Sequence, residues 1–107
     1  MAPMLKITSQ NFADATAGKY AAVMFSTTTC PACHTFAPVL EKVGADYAAK
    51  GVAIGKALCE EAMDQASTFE IMYVPTTVLF KDGKPVDQFV GGLPEPELRQ
   101  KLDALLA

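Results

Sequence analysis

The chain has 107 residues, half of them hydrophobic and a fifth of them charged, with a formal net charge of −3. A chain of this length can bury roughly two thirds of its unfolded surface, so we expect one domain spanning residues 1–107. The acidic balance and the scattered lysines and arginines argue against a nucleic-acid partner, because phosphate binding needs clustered positive charge.

Alternating patterns of hydrophobic residues predict strands and helices in turn. Short apolar or β-branched runs predict strands, and apolar spacings of three and four predict amphipathic helices. In chain order the predicted elements are a strand at 5–8, a short helix from 9–11 to 18, a strand at 20–25, a helix from 31 to about 49, a strand at 52–58, a helix from 60 to about 70, a strand at 76–80, a hairpin turn at 81–84, a strand at 85–90 and a helix at 95–106.

The order of these elements is β-α-β-α-β-α-β-β-α. Strands separated by helices pair in parallel, and the final hairpin adds an antiparallel edge. The sequence therefore predicts an α/β fold with a mixed five-stranded sheet flanked by four helices.

The N-terminal residues and the cysteine count suggest a cytoplasmic protein. Residues 1–6 lack a basic region followed by an apolar run, so no secretory signal is predicted, although a mature secreted form would have the same sequence. No segment approaches about 18 uninterrupted apolar residues, so we expect no membrane span. Three cysteines, Cys30, Cys33 and Cys59, do not suggest a disulfide-stapled secreted scaffold.

The pair Cys30-Pro31-Ala32-Cys33 lies where a buried strand ends and a long helix begins. The first N–H groups of a helix lack intrahelical partners and carry partial positive charge, so a thiolate at Cys30 would be stabilised there. Pro31 suits the first helical position. Cys33 lies on the same helix face, within reach for a disulfide. We expect Cys30 to be an exposed nucleophile and Cys33 to be the resolving thiol.

Other chemistry is compatible with the same cysteines. Cys30-x-x-Cys33-His34 also matches the pattern for covalent attachment of a c-type haem. A zinc site would have to use these three residues and Cys59, with adjacent ligands at 33 and 34. Two buried structural cysteines, or a domain that uses its fold only for binding, are the remaining alternatives.

These motifs together resemble the thioredoxin family over nearly the whole chain. Each is weak alone, but their order and spacing are specific. They are the strand Ala22-Val23-Met24-Phe25, the motif Cys30-Pro31-Ala32-Cys33, Pro38 in the helix, Val74-Pro75-Thr76, the turn Phe80-Lys81-Asp82-Gly83-Lys84, and Val90-Gly91-Gly92.

The resemblance implies a thioredoxin fold and reduction of protein disulfides without a bound cofactor. It further implies a monomer that is recharged by a thioredoxin reductase or a similar donor. Pro75 would have a cis peptide bond and pack opposite the cysteines to position substrate, whereas the residues alone suggest a trans proline that starts a strand. Val74, Pro75 and Gly91, together with Pro31 and Ala32, would line a shallow groove that binds an extended target segment.

Several positions depart from the family pattern. Thr29 replaces the usual tryptophan before the first cysteine, and Pro31-Ala32 replaces Gly-Pro between the cysteines. The intervening pair tunes the reduction potential, so a more oxidising disulfide oxidase or isomerase, or a glutaredoxin-like protein, is the alternative. Met24 occupies the position of a buried acid that, in thioredoxins, helps to deprotonate the resolving cysteine.

Of three further residues, His34 and Cys59 have two interpretations each and Lys56 has one. His34 either favours the neighbouring thiolate or is an exposed helix residue. Lys56 lies where thioredoxins place a lysine near the buried acid, and without that acid we expect a partly exposed lysine. Cys59 is either a semi-buried cysteine at the start of the third helix or a secondary redox thiol.

Overall fold

The computed structural model describes residues 4–107. Its elements are β1 Leu5–Ile7, α1 Phe12–Ala15, β2 Tyr20–Ser26, α2 Pro31–Ala48, β3 Val52–Leu58, a 3₁₀ turn Cys59–Glu61, α3 Met63–Thr68, β4 Thr76–Lys81, β5 Lys84–Val90 and α4 Glu95–Leu106. The five strands form one sheet with the order β1-β3-β2-β4-β5. The α/β prediction with a mixed five-stranded sheet and four helices is confirmed. The absence of a secretory signal was predicted from residues 1–6. The first three of these residues lie outside the described range.

Strand β2 is the centre of the sheet. It pairs in parallel with β3 and antiparallel with β4. Six of its seven residues are buried, because helices cover both faces of the sheet. The site that follows β2 therefore stands on the most deeply buried strand of the molecule.

The two faces of the sheet have separate hydrophobic cores. On one face Ala22 and Met24 of β2 pack in the same cluster as Phe36 and Leu40 of α2 and the buried leucines of α4. On the other face the alternate residues of β2 pack with Phe12 of α1. This alternation follows from the two-residue repeat of a strand, and it assigns each side chain of β2 to one face.

The segment after β3 differs from the sequence prediction. One helix was expected from 60 to about 70, but the chain forms the 3₁₀ turn and then the six-residue α3. Ala62 separates them with a φ of −138° and a ψ of 49°, outside the helical region. Its side chain is completely buried in the core under α1 and α3, so packing overrides the local helical preference.

The hairpin between β4 and β5 closes with Asp82 and Gly83, at φ values of 54° and 79°. Positive φ at both central residues matches the twist of the flanking strands, as the predicted Asp-Gly turn requires. The Asp82 N–H donates a hydrogen bond to the Lys19 carbonyl just before β2. The turn therefore lies at the opposite end of β2 from Cys30.

Among residues 4–107, no helix has both the length and the apolar character that crossing a bilayer requires.

Tyr47 joins α2 to α4 at the edge of the first core. Its ring is buried, and its hydroxyl donates a hydrogen bond to the Asp103 carboxylate at 2.6 Å. The same hydroxyl lies 3.2 Å from the Arg99 carbonyl oxygen. Burial raises the pKa of the Tyr47 hydroxyl, and the Asp103 carboxylate adds to the rise. The neutral phenol is therefore the form that the fold favours.

Replacing Tyr47 with Phe should lower the free energy of unfolding by about 1 kcal/mol, because one hydrogen bond between the two helices is lost. The folded pKa of Tyr47 lies above the unfolded value, so its contribution is complete below about pH 10 and is lost as the pH rises through the folded pKa. Urea unfolding followed by circular dichroism, at neutral and alkaline pH, measures both effects. Tyr20→Phe is the matched control, and an equal loss in the two variants would contradict the role of the hydroxyl.

Candidate active site

Cys30 and Cys33 form a disulfide at the N-terminus of α2, with their Cα atoms 5.3 Å apart. Cys30 is the N-cap residue, with an extended backbone, and Pro31 is the first residue of the helix. The Cys33 N–H donates a hydrogen bond to the Cys30 Sγ at 3.1 Å. The sulfur thus lies against the unpaired N–H groups of the first helical turn, where a thiolate would be stabilised.

The burial of the two cysteines corrects one expectation. Cys30 was expected to be exposed, but it is 7 % exposed, while Cys33 is 2 % exposed. The N-cap geometry explains this, since it turns the Cys30 sulfur toward the helix rather than toward solvent. Pro31 and Ala32 between the cysteines are both exposed.

The strand before the disulfide fixes its position. β2 ends at Ser26, and residues 27–29 form a short turn before the N-cap. The Thr28 hydroxyl in this turn lies 3.5 Å from a carboxylate oxygen of Glu60 in the 3₁₀ turn. The site therefore lies at the carboxyl end of the central strand, the usual place for a site in an open α/β sheet.

Pro75 lies at the same end of the sheet. The Val74–Pro75 peptide bond is cis, and β4 begins at the next residue, Thr76, which pairs with Phe25 of β2. The Gly91 N–H donates a hydrogen bond to the Pro75 carbonyl at 2.7 Å, so the segments before β4 and after β5 lie together. The contacts of Val74, Pro75 and Gly91 with a substrate stay predictions.

A further apolar groove lies beside the first turns of α2. It has a volume of about 390 Å³ and is lined by Ala32, Thr35, Phe36, Val39, Gly92 and Leu93. A Cβ atom at Gly92 would lie 3.1 Å from a ring carbon of Phe36, so the chain after β5 packs closely on α2. Apart from Ala32, these residues are not predicted from the sequence to form a surface, because the groove forms only when two distant segments meet.

Two large exposed side chains precede Pro75. Met72 is 79 % exposed and Tyr73 is 69 % exposed, although both are hydrophobic. The Tyr73 carbonyl accepts a hydrogen bond from the Thr76 hydroxyl at 2.5 Å, which holds this segment to the start of β4. Neither residue is predicted from the sequence, because no local sequence pattern indicates that a Met-Tyr pair is exposed.

The structure also gives the positions of His34, Lys56 and Cys59. His34 is exposed, and its backbone N–H donates the first helical hydrogen bond, to the Cys30 carbonyl; its effect on the thiolate stays a prediction. Lys56 is half-buried, in register with the fully buried Met24, and lines a groove with Glu41. Cys59 begins the 3₁₀ turn and is free and partly buried.

Within residues 4–107, no group of three or more His, Cys, Asp or Glu side chains has an arrangement that could hold a metal ion.

Comparisons with known proteins agree on one family. The thioredoxin family model matches residues 3–104. A thioredoxin from Staphylococcus haemolyticus is 38 % identical over 100 residues, covering 94 % of this chain and 95 % of the relative. A thioredoxin from Staphylococcus aureus strain Mu50 is 37 % identical over the same shares. The crystal structure of a thioredoxin from Malassezia sympodialis superposes with a TM-score of 0.87 at 28 % identity, covering 100 % of this chain and 94 % of that one.

In the reduced protein, Cys59 should react with iodoacetamide more slowly at neutral pH than Cys30. Burial raises the pKa of the Cys59 thiol, and the Glu60 carboxylate adds to the rise, so little thiolate is present. Mass spectrometry of peptides sampled over time measures both rates, and raising the pH should speed the Cys59 reaction. Equal rates at neutral pH would contradict the assignment of Cys30 as the activated thiol.

Proposed function

Because the chain belongs to the thioredoxin family of protein-disulfide oxidoreductases, we propose that Cys30 attacks target disulfides and Cys33 completes the exchange. The hydrogen bond from the Cys33 N–H to the Cys30 Sγ carries this assignment, since it favours Cys30 as the sulfur that the helix N-terminus would stabilise as a thiolate. Cys33 is less exposed than Cys30, as suits a thiol that reacts only within the molecule. The family match also favours exchange over haem attachment at the Cys-x-x-Cys-His motif.

The proposed reaction has two displacements. The Cys30 thiolate attacks one sulfur of the target disulfide, a bond forms between the two sulfurs, and the second target sulfur leaves as a thiolate. Cys33, as a thiolate, then attacks the Cys30 Sγ, and the first target sulfur leaves. Two electrons pass from the dithiol to the target, and the Cys30–Cys33 disulfide seen in the structure is the product.

The target segment is proposed to bind across the exposed Pro31 and Ala32 and against Val74, Pro75 and Gly91. The hydrogen bond from Gly91 to the Pro75 carbonyl supports this surface, because it holds the two loops together beside the end of β2. An extended segment there could pair with the Val74 backbone, as strands do at a sheet edge. The exposed Met72 and Tyr73 enlarge the apolar surface next to it.

The cofactor requirement, the electron donor, the oligomeric state and the location are proposed from the family. The electrons reside in the dithiol, so no bound cofactor is needed, and a thioredoxin reductase or a similar donor would restore the reduced form. We propose a monomer that acts in the cytoplasm on protein disulfides. The bacterial relatives support this assignment.

Cys33→Ser should accumulate a mixed disulfide between Cys30 and a protein target, because the attack that releases the target is lost. Cys30→Ser should form no such complex and should lose nearly all disulfide-reducing activity with insulin as substrate. Non-reducing electrophoresis and mass spectrometry detect the trapped species. Cys59→Ser is the matched control and should behave as the unchanged protein; trapping through Cys33 in Cys30→Ser would reverse the proposed roles.

The Cys30–Cys33 couple should have a reduction potential more negative than about −230 mV, as expected for a reductase. The potential of about −270 mV that is typical of a thioredoxin is the reference on this scale. Equilibration with defined ratios of reduced to oxidised dithiothreitol and glutathione measures the potential. A value near about −120 mV would instead assign the chain to the oxidising relatives that its Pro-Ala pair left open.

A further inference from the structure

Within the described part of the chain, two buried hydroxyl groups in β2 and β4 have no hydrogen-bond partners. Ser26 and Thr77 are each 0 % exposed, and within residues 4–107 neither Ser26 Oγ nor Thr77 Oγ1 has a partner. The adjacent Thr76 shows the contrast, since its buried hydroxyl donates to the Tyr73 carbonyl. Leaving a buried hydroxyl unpaired has a free-energy cost, so two such groups need an explanation.

Both hydroxyls lie on the sheet face that α2 covers. Thr77 is directly opposite Met24 in the antiparallel pairing of β2 with β4, and directly opposed residues share a face. Ser26 follows Met24 by two residues in β2 and therefore also shares its face. Met24 packs in one cluster with Phe36 of α2, which identifies the face.

Cys33 lies on the buried side of α2, the side that faces the sheet. It precedes Phe36 by three residues and Leu40 by seven, so the three share one stripe of α2, and all three are buried. Phe36 and Leu40 of this stripe pack in one cluster with Met24 of β2 and Leu79 of β4, on the sheet face that contains Ser26 and Thr77. Ser26 and the cysteines lie at the same end of β2, and Thr77, opposite Met24, lies near that end on the same face, so both hydroxyls lie on the sheet face that this stripe of α2 covers.

Few titratable groups accompany these hydroxyls. Cys30 and the exposed His34 belong to the same helix start, and half-buried Lys56 of β3 shares the face in register with Met24 and lines a groove with half-buried Glu41 of α2. On the side of α4 and β5, three ion pairs join charged residues: Lys42 with Glu95, Asp46 with Arg99, and Asp87 with Lys101. Met24 itself is apolar, so the buried positions of β2 and β4 on this face offer Cys33 hydroxyls and no carboxylate.

We propose that Ser26 and Thr77 are positioning residues that donate hydrogen bonds, directly or through one bound water, to the Cys33 thiolate while it releases the target. This inference rests on the proposed roles of the two cysteines. Cys33 gives its proton to solvent, and the hydroxyls stabilise the anion without taking that proton. The thiolate then forms the bond to Cys30 Sγ, and the target sulfur leaves with the electron pair of the broken bond.

The test separates the two displacements with the aromatic disulfide 5,5′-dithiobis(2-nitrobenzoate). In a Cys59→Ser background, attack by Cys30 releases one coloured thiolate, and attack by Cys33 on the resulting mixed disulfide releases the second. Stopped-flow absorbance across the range in which thiols ionise gives the pH profile of each phase. The variants are Ser26→Ala, Thr77→Val and their combination.

In the double variant, the apparent pKa of the second phase should rise by about one unit, and its rate below that pKa should fall about tenfold. The first phase and the alkaline plateau of the second should stay unchanged. Each single variant should show part of the shift, so the result does not depend on the double variant folding. Thr77→Ser keeps a hydroxyl and should restore the profile. Thr16→Val is the matched control, since it removes a buried hydroxyl that is bonded to the Phe12 carbonyl away from the site.

An unchanged second-phase profile in every variant would overturn the inference, as would an equal shift in Thr16→Val. Failure of the proposed cysteine roles would look different. In that case the protein with Ser26 and Thr77 intact would itself lack a second phase that depends on Cys33.

Discussion

The hydrogen bond from the Cys33 N–H to the Cys30 sulfur links the folding of α2 to the chemistry of the site. It exists only when the first helical turn is formed, and that turn is held by the buried stripe that α2 packs on the sheet. The packing energy of the helix thus maintains a polar arrangement that an isolated helix start would not hold. The proposed activity depends on the core through this one contact.

The sheet positions the parts of the site that are distant in sequence. β2 ends just before the disulfide. β4 begins opposite Phe25 of β2, directly after the cis bond at Pro75. The Gly91 N–H joins the end of β5 to the same place. Three chain segments therefore end at the same edge of the sheet, because strand pairing fixes their ends.

The sequence predicted the elements whose signals are local. The buried run of β2, the Cys-Pro-Ala-Cys junction and the Asp-Gly turn each depend on neighbouring residues, and the structure has all three. It did not predict the break at Ala62, which depends on burial in a core formed by distant helices. The sequence also did not predict the unpartnered hydroxyls of Ser26 and Thr77, because the position of Thr77 opposite Met24 depends on strand register. The low exposure of Cys30 was missed for a similar reason, since the direction of its sulfur depends on the cap geometry.

The hairpin at Asp82 and Gly83 has a practical consequence. Both residues are exposed, and the turn lies at the end of β2 that is remote from the disulfide. A chemical tether attached there would fix the molecule to a bead or an electrode with the disulfide end of the sheet away from the support. Exchange with large soluble proteins could then be followed on an immobilised layer without obstruction by the support.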